Sequence, residues 1–290
     1  MYPGLGSGFG GVLVNDNHQG TALVIGMVLA IGLWAHAKHR AVQGQPHKLR
    51  HGLWLLAAFS CVAALPLSGS RAAMVIALVA AALTVAATGL LPLLRIRDSR
   101  RAAAGAVLAV ALVALGSFSA WRWMQVDAVD ELRQTIARET ISVGQRHAPL
   151  GSGIGSFVDV FAQEASWNPA FQGGEYVNHA HNEYAQWWMT GGVGALAALA
   201  FALGILGWTG TAVLRHGRRH PLAAASWLAL LTVLVHSVVD FPLRTMSLMG
   251  ASASLAALAV VLGAAAMREK PHATRSLDTH SPKAAGDAPA

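Results

Sequence analysis

Seven apolar stretches, each long enough or nearly long enough to cross a bilayer, constrain this chain more than any other feature. A bilayer core of about 30 Å needs about 20 helical residues. The stretches run over residues 20–37, 52–67, 72–94, 102–120, 189–211, 222–240 and 246–266. Of the 290 residues, 54% are hydrophobic and 12% are charged, which is typical of membrane proteins. Because no stretch alternates like a barrel strand, the sequence predicts an all-α, polytopic membrane helix bundle with about seven transmembrane helices.

The basic residues alternate between the two sides of this predicted bundle. By the positive-inside rule, the connections that hold most of them face the cytoplasm. These residues are Lys38, Arg40, Lys48, Arg50, Arg95, Arg97, Arg100, Arg101, Arg215, Arg218, Arg219, Arg268, Lys270, Arg275 and Lys283. The outer side carries Arg71, Arg122, Arg133, Arg138, Arg146 and Arg244. The net charge of +7 therefore reports membrane orientation, and the sequence predicts no nucleic-acid partner.

The chain ends differ from the membrane segments in composition. The predicted outer N-terminus has no signal peptide, and its opening MYPGLGSGFGG is typical of a loop between helices, so we expect an N-terminally truncated chain. Residues 1–266 form the predicted membrane-embedded domain, with an outer loop of about 60 residues at 121–183. Residues 267–290, rich in Lys, His, Pro and Ala, form a predicted disordered cytoplasmic tail. The single cysteine, Cys61, leaves no disulfide framework.

The outer loop contains two recognisable features. Val129, Leu132, Ile136 and Val143 follow helical spacing, which predicts an amphipathic helix on the membrane surface or over the bundle. The segment RHAPLGSGIGSF then follows, in which Gly151, Gly153 and Gly155 alternate. Such glycines are consistent either with a backbone that points N–H groups at a phosphate or with a plain loop before a short helix.

The segment NHAHNEYAQWW, residues 178–188, gathers polar groups directly before an apolar stretch. A zinc site at His179 and His181 would need a further ligand from His147, His236 or Asp240, and the metalloprotease spacing HExxH is absent. An interfacial helix start, capped by Asn178 or Asn182 with tryptophans in the aromatic belt, explains much of the pattern. It leaves the two histidines unexplained, so a catalytic or substrate-binding site is the third interpretation. We predict no metal.

Other polar residues are predicted at the same outer ends of the spans. His236 and Asp240 are four residues apart and share a helix face, and Pro242 and Arg244 follow. A structural ion pair between Asp240 and a nearby arginine is the plainest interpretation. Arg71 begins the third stretch, and Asn15, Asn17 and His18 precede the first.

These segments together resemble the bacterial O-antigen ligase and O-antigen polymerase superfamily, which includes protein O-oligosaccharyltransferases. The matching segments, in chain order, are NDNHQGTAL, SGSRAAM, RHAPLGSGIGSF, AHNEYAQWWMTGGVGAL and HSVVDFPLR. The resemblance covers almost the whole chain. It departs where family members often carry glutamate followed by glycine, because Thr190 and Gly191 stand there.

The resemblance implies a glycosyltransferase of the bacterial inner membrane whose active site faces the periplasm. Its donor is an undecaprenyl-pyrophosphate-linked glycan, and its acceptor is a glycan, lipid A-core or a protein. No cofactor is expected. A pyrophosphate leaving group requires positive charge, and a histidine takes the acceptor proton. The catalytic candidates are therefore His181, Arg71 and Arg133. The candidates for substrate binding are Arg138, Arg146, Asn182, Asp240, Arg244, Gly151, Gly153 and Asn17.

Two other functions compete with a transferase. A transporter would carry ionisable residues near the midpoints of its spans, whereas the predicted spans are clean and the charges lie at one end. An inactive fragment or assembly partner is suggested by the expected truncation and by Thr190.

Overall fold

The computed structural model describes residues 12–42, 48–90, 128–166 and 177–268, with a few single positions between 114 and 124. These residues form helices and no strands. The helices are α1 (Asp16–Val42), α2 (Lys48–Ala64), α3 (Arg71–Ala87), α4 (Ala128–Arg146), α5 (Phe157–Glu164), α6 (Glu183–His216), α7 (Pro221–His236) and α8 (Met246–Arg268). Short 3₁₀ turns, Pro66–Ser68 and Pro242–Arg244, precede α3 and α8. The predicted all-helical class is confirmed for this part of the chain.

Four helices in the described ranges are long and apolar enough to cross a membrane. They are Asp16–Arg40, His51–Ser68, Glu183–His216 and Met246–Ala265, and α3 and α7 are shorter apolar helices. The third predicted stretch reached residue 94 and the sixth reached 240, but α3 ends at Ala87 and α7 at His236. Most of the fourth stretch and the tail after Arg268 lie outside the described residues. The count of seven spans therefore stays a prediction.

The main core lies between α1, α3 and α7. Met27, Val28, Met74, Leu228 and Val233 are buried there with many alanines. Small side chains let apolar helices approach closely. Within a bilayer the hydrophobic effect does not drive helices together, so they associate through close packing of this kind. Helix α7 is buried along most of its length. It therefore lies inside the bundle, and neighbouring helices pack around it.

The predicted amphipathic helix is α4, which packs on the start of α6. Ile136 and Val143 are buried against Phe157, Phe161 and Met189. The Trp188 indole N–H of α6 donates to the Ile141 carbonyl of α4 at 3.3 Å. Helix α4 therefore covers the first turns of α6.

The helices alternate in direction, and this brings polar residues together at one end of the bundle. At this end, which we call the polar end, Ser70 contacts Asn17, Thr245 contacts His18, and Glu183 contacts Ser237. At the opposite end, which we call the basic end, His39 Nε2 bonds the Thr88 carbonyl at 3.1 Å. The pairing of helix ends agrees with the alternation that the basic residues predict.

Candidate functional site

The centre of the polar end is a hydrogen-bonded pair of His181 and Asp240. Nδ1 of His181 lies 3.2 Å from Oδ1 of Asp240. Asp240 is 1% exposed and the His181 side chain is 21% exposed. A carboxylate only accepts, so Nδ1–H is the donor and Nε2 of a neutral His181 carries the lone pair. A half-buried base oriented by a buried carboxylate is the arrangement that general-base catalysis uses.

The backbone of His181 has an unusual conformation. Its φ is +49°, in the left-handed region that side chains other than glycine rarely adopt. The next residue, Asn182, caps α6, because its Oδ1 accepts from the Ala185 N–H at 2.9 Å. The left-handed residue turns the chain sharply into the helix. Strained residues of this kind cluster at functional sites, where the surrounding structure holds them in place.

Three bonds fix the start of α6 against the end of α7. Besides the His181–Asp240 pair, the Glu183 N–H donates to the Ser237 carbonyl at 2.9 Å, and the Tyr184 hydroxyl donates to the Leu234 carbonyl at 2.7 Å. Since the chain turns between α7 and Pro242, Asp240 falls just beyond the helix. The pair is thus held by two rigid helices, which is how a base is kept in a productive position.

Two further histidines, His18 and His236, are buried at the same end. Nδ1 of His236 lies 2.7 Å from the Thr21 hydroxyl, which itself donates to the Asn17 carbonyl at 2.9 Å. A hydroxyl has one proton, so Nδ1–H of His236 is the donor. Nδ1 of His18 lies 2.7 Å from the Thr245 hydroxyl.

Both of these histidines and Asp240 keep one buried polar atom without a hydrogen-bond partner in the described part of the chain. The atoms are Nε2 of His18, Nε2 of His236 and Oδ2 of Asp240. Such atoms are rare in folded proteins and each needs an explanation. Every fully buried ionisable side chain among the described residues, namely His18, Glu183, His236 and Asp240, lies at the polar end.

Phe241 separates three of the imidazoles. Its ring centroid lies 4.9 Å from that of His18, 4.2 Å from that of His179 and 5.0 Å from that of His181. Burial and the nearby Arg244 charge lower the pKa of His179 to about 4, so this imidazole is neutral at pH 7. The phenyl ring of Phe241 therefore packs against all three imidazoles.

The predicted arginines differ in their positions. The charge of Arg133, on α4, acts on His18, His236 and Asp240, so α4 brings it near the pair. Arg71 is the first residue of α3, and Ser70 before it donates to Oδ1 of Asn17 at 2.6 Å. This bond places the α3 start and the predicted Asn17 at the polar end.

Arg244, Arg138 and Arg146 bond to other side chains. Arg244 Nε lies 3.1 Å from Oε2 of buried Glu183. Arg138 is exposed and bonds Gln134 at 3.4 Å. Arg146 is exposed and bonds Glu164. The structure therefore does not bring Arg138 or Arg146 into bonded contact with the His181–Asp240 pair.

Gly151 and Gly153 have a structural task that the spacing did not reveal. The Gly151 N–H donates to the His147 carbonyl at 2.8 Å and the Gly153 N–H to the Thr190 carbonyl at 2.9 Å. Both N–H groups are therefore bonded within the protein, as expected for the alternative of a plain loop. The loop instead supports a break in α6 at Gly192, whose φ is +57°. A Cβ on Gly192 would lie 2.1 Å from the Pro149 carbonyl oxygen.

The sequence interpretation omitted His18, His236 and Phe241 from the site. The spacing of His236 and Asp240 was a visible signal, and His18 was noted before the first stretch. Their partners Thr21 and Thr245 lie more than 200 positions away along the chain, so no local pattern shows the contact. Among the described residues, no three His, Cys, Asp or Glu side chains group closely enough to hold a metal ion.

Fold and site together define a helical membrane protein with a cluster of buried histidines and carboxylates at one end of its bundle. The O-antigen ligase family model matches residues 55–200, slightly more than half of the chain, and the protein belongs to this family. Membership implies membrane glycan processing of the ligase or polymerase type, with lipid-linked glycans and acceptors as substrates. The match contains His181, Arg71 and Arg133, whereas Asp240, His236 and His18 lie outside it. Comparisons with curated proteins and with solved structures give no significant match.

Proposed function

We propose that this protein transfers an undecaprenyl-pyrophosphate-linked glycan to an acceptor, with the His181–Asp240 pair as its acid–base centre. The observation that supports this most is the 3.2 Å bond from His181 to a buried carboxylate in a chain of the O-antigen ligase family. An acceptor hydroxyl is a weak nucleophile until a base receives its proton, and His181 is positioned by its partner for that task.

The reaction forms one bond and breaks another at the anomeric carbon. The acceptor oxygen attacks that carbon, its proton passes to Nε2 of His181, and the bond to the pyrophosphate oxygen breaks. Asp240 stabilises the resulting imidazolium. The departing lipid pyrophosphate is a multiply charged anion, for which Arg133 and Arg71 supply positive charge through planar, forked donors. These two arginines are the proposed pyrophosphate ligands.

The proposed location is the bacterial inner membrane, with the polar end in the periplasm. The basic residues that follow α1, α3 and α6 favour the cytoplasm for the basic end. A donor assembled on a lipid would then meet its acceptor at the outer surface. Residues 1–266 are the proposed membrane domain. The acceptor is a glycan, lipid A-core or a protein, since all three react through the same chemistry.

The position of the buried ionisable groups favours a transferase over a transporter. A transport path needs polar groups through the bilayer, whereas His18, Glu183, His236 and Asp240 are gathered at one end. Helices α1, α3 and α7 are packed along their length by apolar side chains.

Reconstitution tests the proposal directly. The purified chain in liposomes, given undecaprenyl-pyrophosphate-linked glycan and an acceptor, should form extended acceptor and release undecaprenyl pyrophosphate. A parallel sample with chelator should behave identically, and protein-free liposomes are the control. No transfer with any of the three acceptor classes would contradict the proposal. Transfer that begins only on addition of a second membrane protein would identify an assembly partner instead.

A further inference from the structure

A cleft of about 190 Å³ lies beside the first turns of α6. Its apolar lining residues are Ile154, Phe157 and Val158, with Gly155 beside them. Its other lining residues are Asn178, His179, Gln186, Trp187, Thr190 and Arg244. Nothing in the proposed transfer chemistry uses this cleft, although His179 at its edge touches Phe241 and so adjoins His181.

The charges around this cleft cancel. Arg244 and His179 are the ionisable residues among its described lining residues. Glu183 lies 3.1 Å from Arg244 and is almost fully buried, so the guanidinium charge is compensated within the protein. Burial keeps His179 neutral. A pyrophosphate requires uncompensated positive charge, and this cleft does not offer it.

The remaining lining groups suit an uncharged polyhydroxylated ring. Trp187 supplies a broad apolar surface, and Arg244 lies 5.7 Å from the centroid of its ring. Asn178 offers both donors and an acceptor. The Gln186 amide is oriented, because its Oε1 accepts from the Ala180 N–H at 3.1 Å. Nδ1 of His179 is buried and has no hydrogen-bond partner in the described residues. An aromatic surface with a few oriented polar groups is typical of small-ligand sites.

We infer that the cleft beside Trp187 binds one uncharged sugar unit of the transferred glycan or of the acceptor, with its apolar face on the indole. This inference rests on the proposed function. It assigns the sugar and the pyrophosphate of the substrate to two separate parts of the site. The sugar occupies the neutral cleft, and the pyrophosphate occupies the arginine-bearing side near Asp240. Thr190, which stands where family members often carry glutamate, lines this cleft with a hydroxyl that donates to the Gln186 carbonyl at 2.8 Å.

Binding without turnover tests the inference independently of transfer. The probe is the phosphate-free oligosaccharide released from the lipid-linked donor by mild acid, or the free acceptor glycan, observed by saturation-transfer NMR on detergent-solubilised protein. Wild type should bind at least one probe. Trp187→Leu should bind it about tenfold more weakly, as expected for loss of one aromatic contact. Trp187→Phe should retain most of the binding, and Asn178→Ala should show a smaller loss than Trp187→Leu.

Trp208→Leu is the matched control, since Trp208 is an exposed tryptophan on the same helix and is not part of the cleft. It should bind like wild type. The inference is overturned if wild type binds neither probe, if Trp187→Leu binds like wild type, or if inorganic pyrophosphate displaces the bound oligosaccharide.

Kinetics then identify the source of the sugar unit. In Trp187→Leu, the KM for donor or the KM for acceptor should rise about tenfold while kcat changes little, because only binding is lost. The substrate whose KM rises is the one in the cleft, and unchanged KM values for both would contradict the inference. Absence of transfer by wild type, together with oligosaccharide binding that Trp187→Leu loses, would refute the proposed function and leave the sugar site standing.

Discussion

His181 and His147 each hydrogen-bond a carboxylate, and the surroundings of the two pairs differ. His181 reaches Asp240 at 3.2 Å, with side chains 21% and 1% exposed. His147 reaches Glu164 at 2.8 Å, with side chains 29% and 34% exposed. Arg146 also bonds Glu164, so that this carboxylate is well satisfied. Oδ2 of Asp240, by contrast, is buried without a hydrogen-bond partner in the described residues.

The difference separates a structural contact from a candidate reaction centre. The His147–Glu164 pair joins the end of α4 to the end of α5 at the surface, where ion pairs contribute little to stability. The His181–Asp240 pair joins the start of α6, a helix of membrane-spanning length, to the end of α7, a largely buried helix. Two more buried histidines, His18 and His236, lie at the same end of the bundle. A histidine–carboxylate bond alone therefore indicates no chemistry. Our proposal of chemistry at His181 rests on two further features, namely buried neighbours that lack a hydrogen-bond partner among the described residues and the left-handed backbone of His181.

The largest effect on glycan transfer is expected from removing the His181 side chain, with removal of the His147 side chain as the comparison. His181→Ala should lower glycan transfer by about a hundredfold or more, the usual range for loss of a general base. His147→Ala should leave transfer within about twofold of wild type, since surface substitutions of this kind have small effects. The measurement is the initial rate of transfer from lipid-linked donor in membranes with matched protein levels. Equal rates for the two variants would remove the distinction between the pairs.

An intermediate effect is expected at Arg71 and Arg133, the two proposed pyrophosphate ligands. The double variant Arg71→Lys, Arg133→Lys keeps both charges but loses the forked donors that fit a pyrophosphate. Transfer should fall by more than roughly tenfold, yet by less than the about hundredfold typical of losing a stabilising group entirely. Arg146→Lys is the control beside His147 and should transfer normally. Wild-type transfer by the double variant would take both arginines out of the proposed site.

The smallest effect is expected at Glu164. Its hydrogen bond from His147 and the nearby Arg146 lower the pKa of this carboxyl below its ordinary 4.5. A lowered pKa in the folded state means that the contact stabilises above the unfolded pKa and is lost as pH falls through the folded one. Hydrogen-exchange protection factors of α5 should be slightly higher in wild type than in Glu164→Gln at pH 6. This difference should vanish in acid below the lowered pKa, and a difference that grew in acid would be inconsistent with this ion pair.

Much of the fold followed from the sequence because bilayer thickness and basic residues impose long-range order. The amphipathic spacing of Leu132, Ile136 and Val143 predicted α4, and Asn182 proved to be the cap of α6. The ends of α3 and α7 were placed too late, because apolar composition continues after the backbone has turned. The length of an apolar stretch therefore does not show at which residue the backbone hydrogen bonds of the helix end.

The site was only partly visible in the sequence. The motifs placed His181 and Asp240 at neighbouring span ends, so their proximity was foreseeable. The position of Phe241 was not, since its contacts are to His18 in one distant segment and to His179 and His181 in another. For Gly151 and Gly153, the sequence left two interpretations open for a related reason. An alternating glycine pattern cannot distinguish N–H groups that face a ligand from N–H groups already bonded to another helix.

We propose that His181 and Asp240 act as one unit, and a double-mutant cycle distinguishes this from independent action. Transfer rates are measured for His181→Ala, Asp240→Asn and the variant that carries both changes, with a parallel cycle on His147 and Glu164. Residues that act as a unit show strongly non-additive losses. We expect the double variant to be no slower than His181→Ala alone, because Asp240 acts through His181, and we expect the control cycle to stay near wild type. Losses at His181 and Asp240 that multiply, as for independent residues, would contradict it.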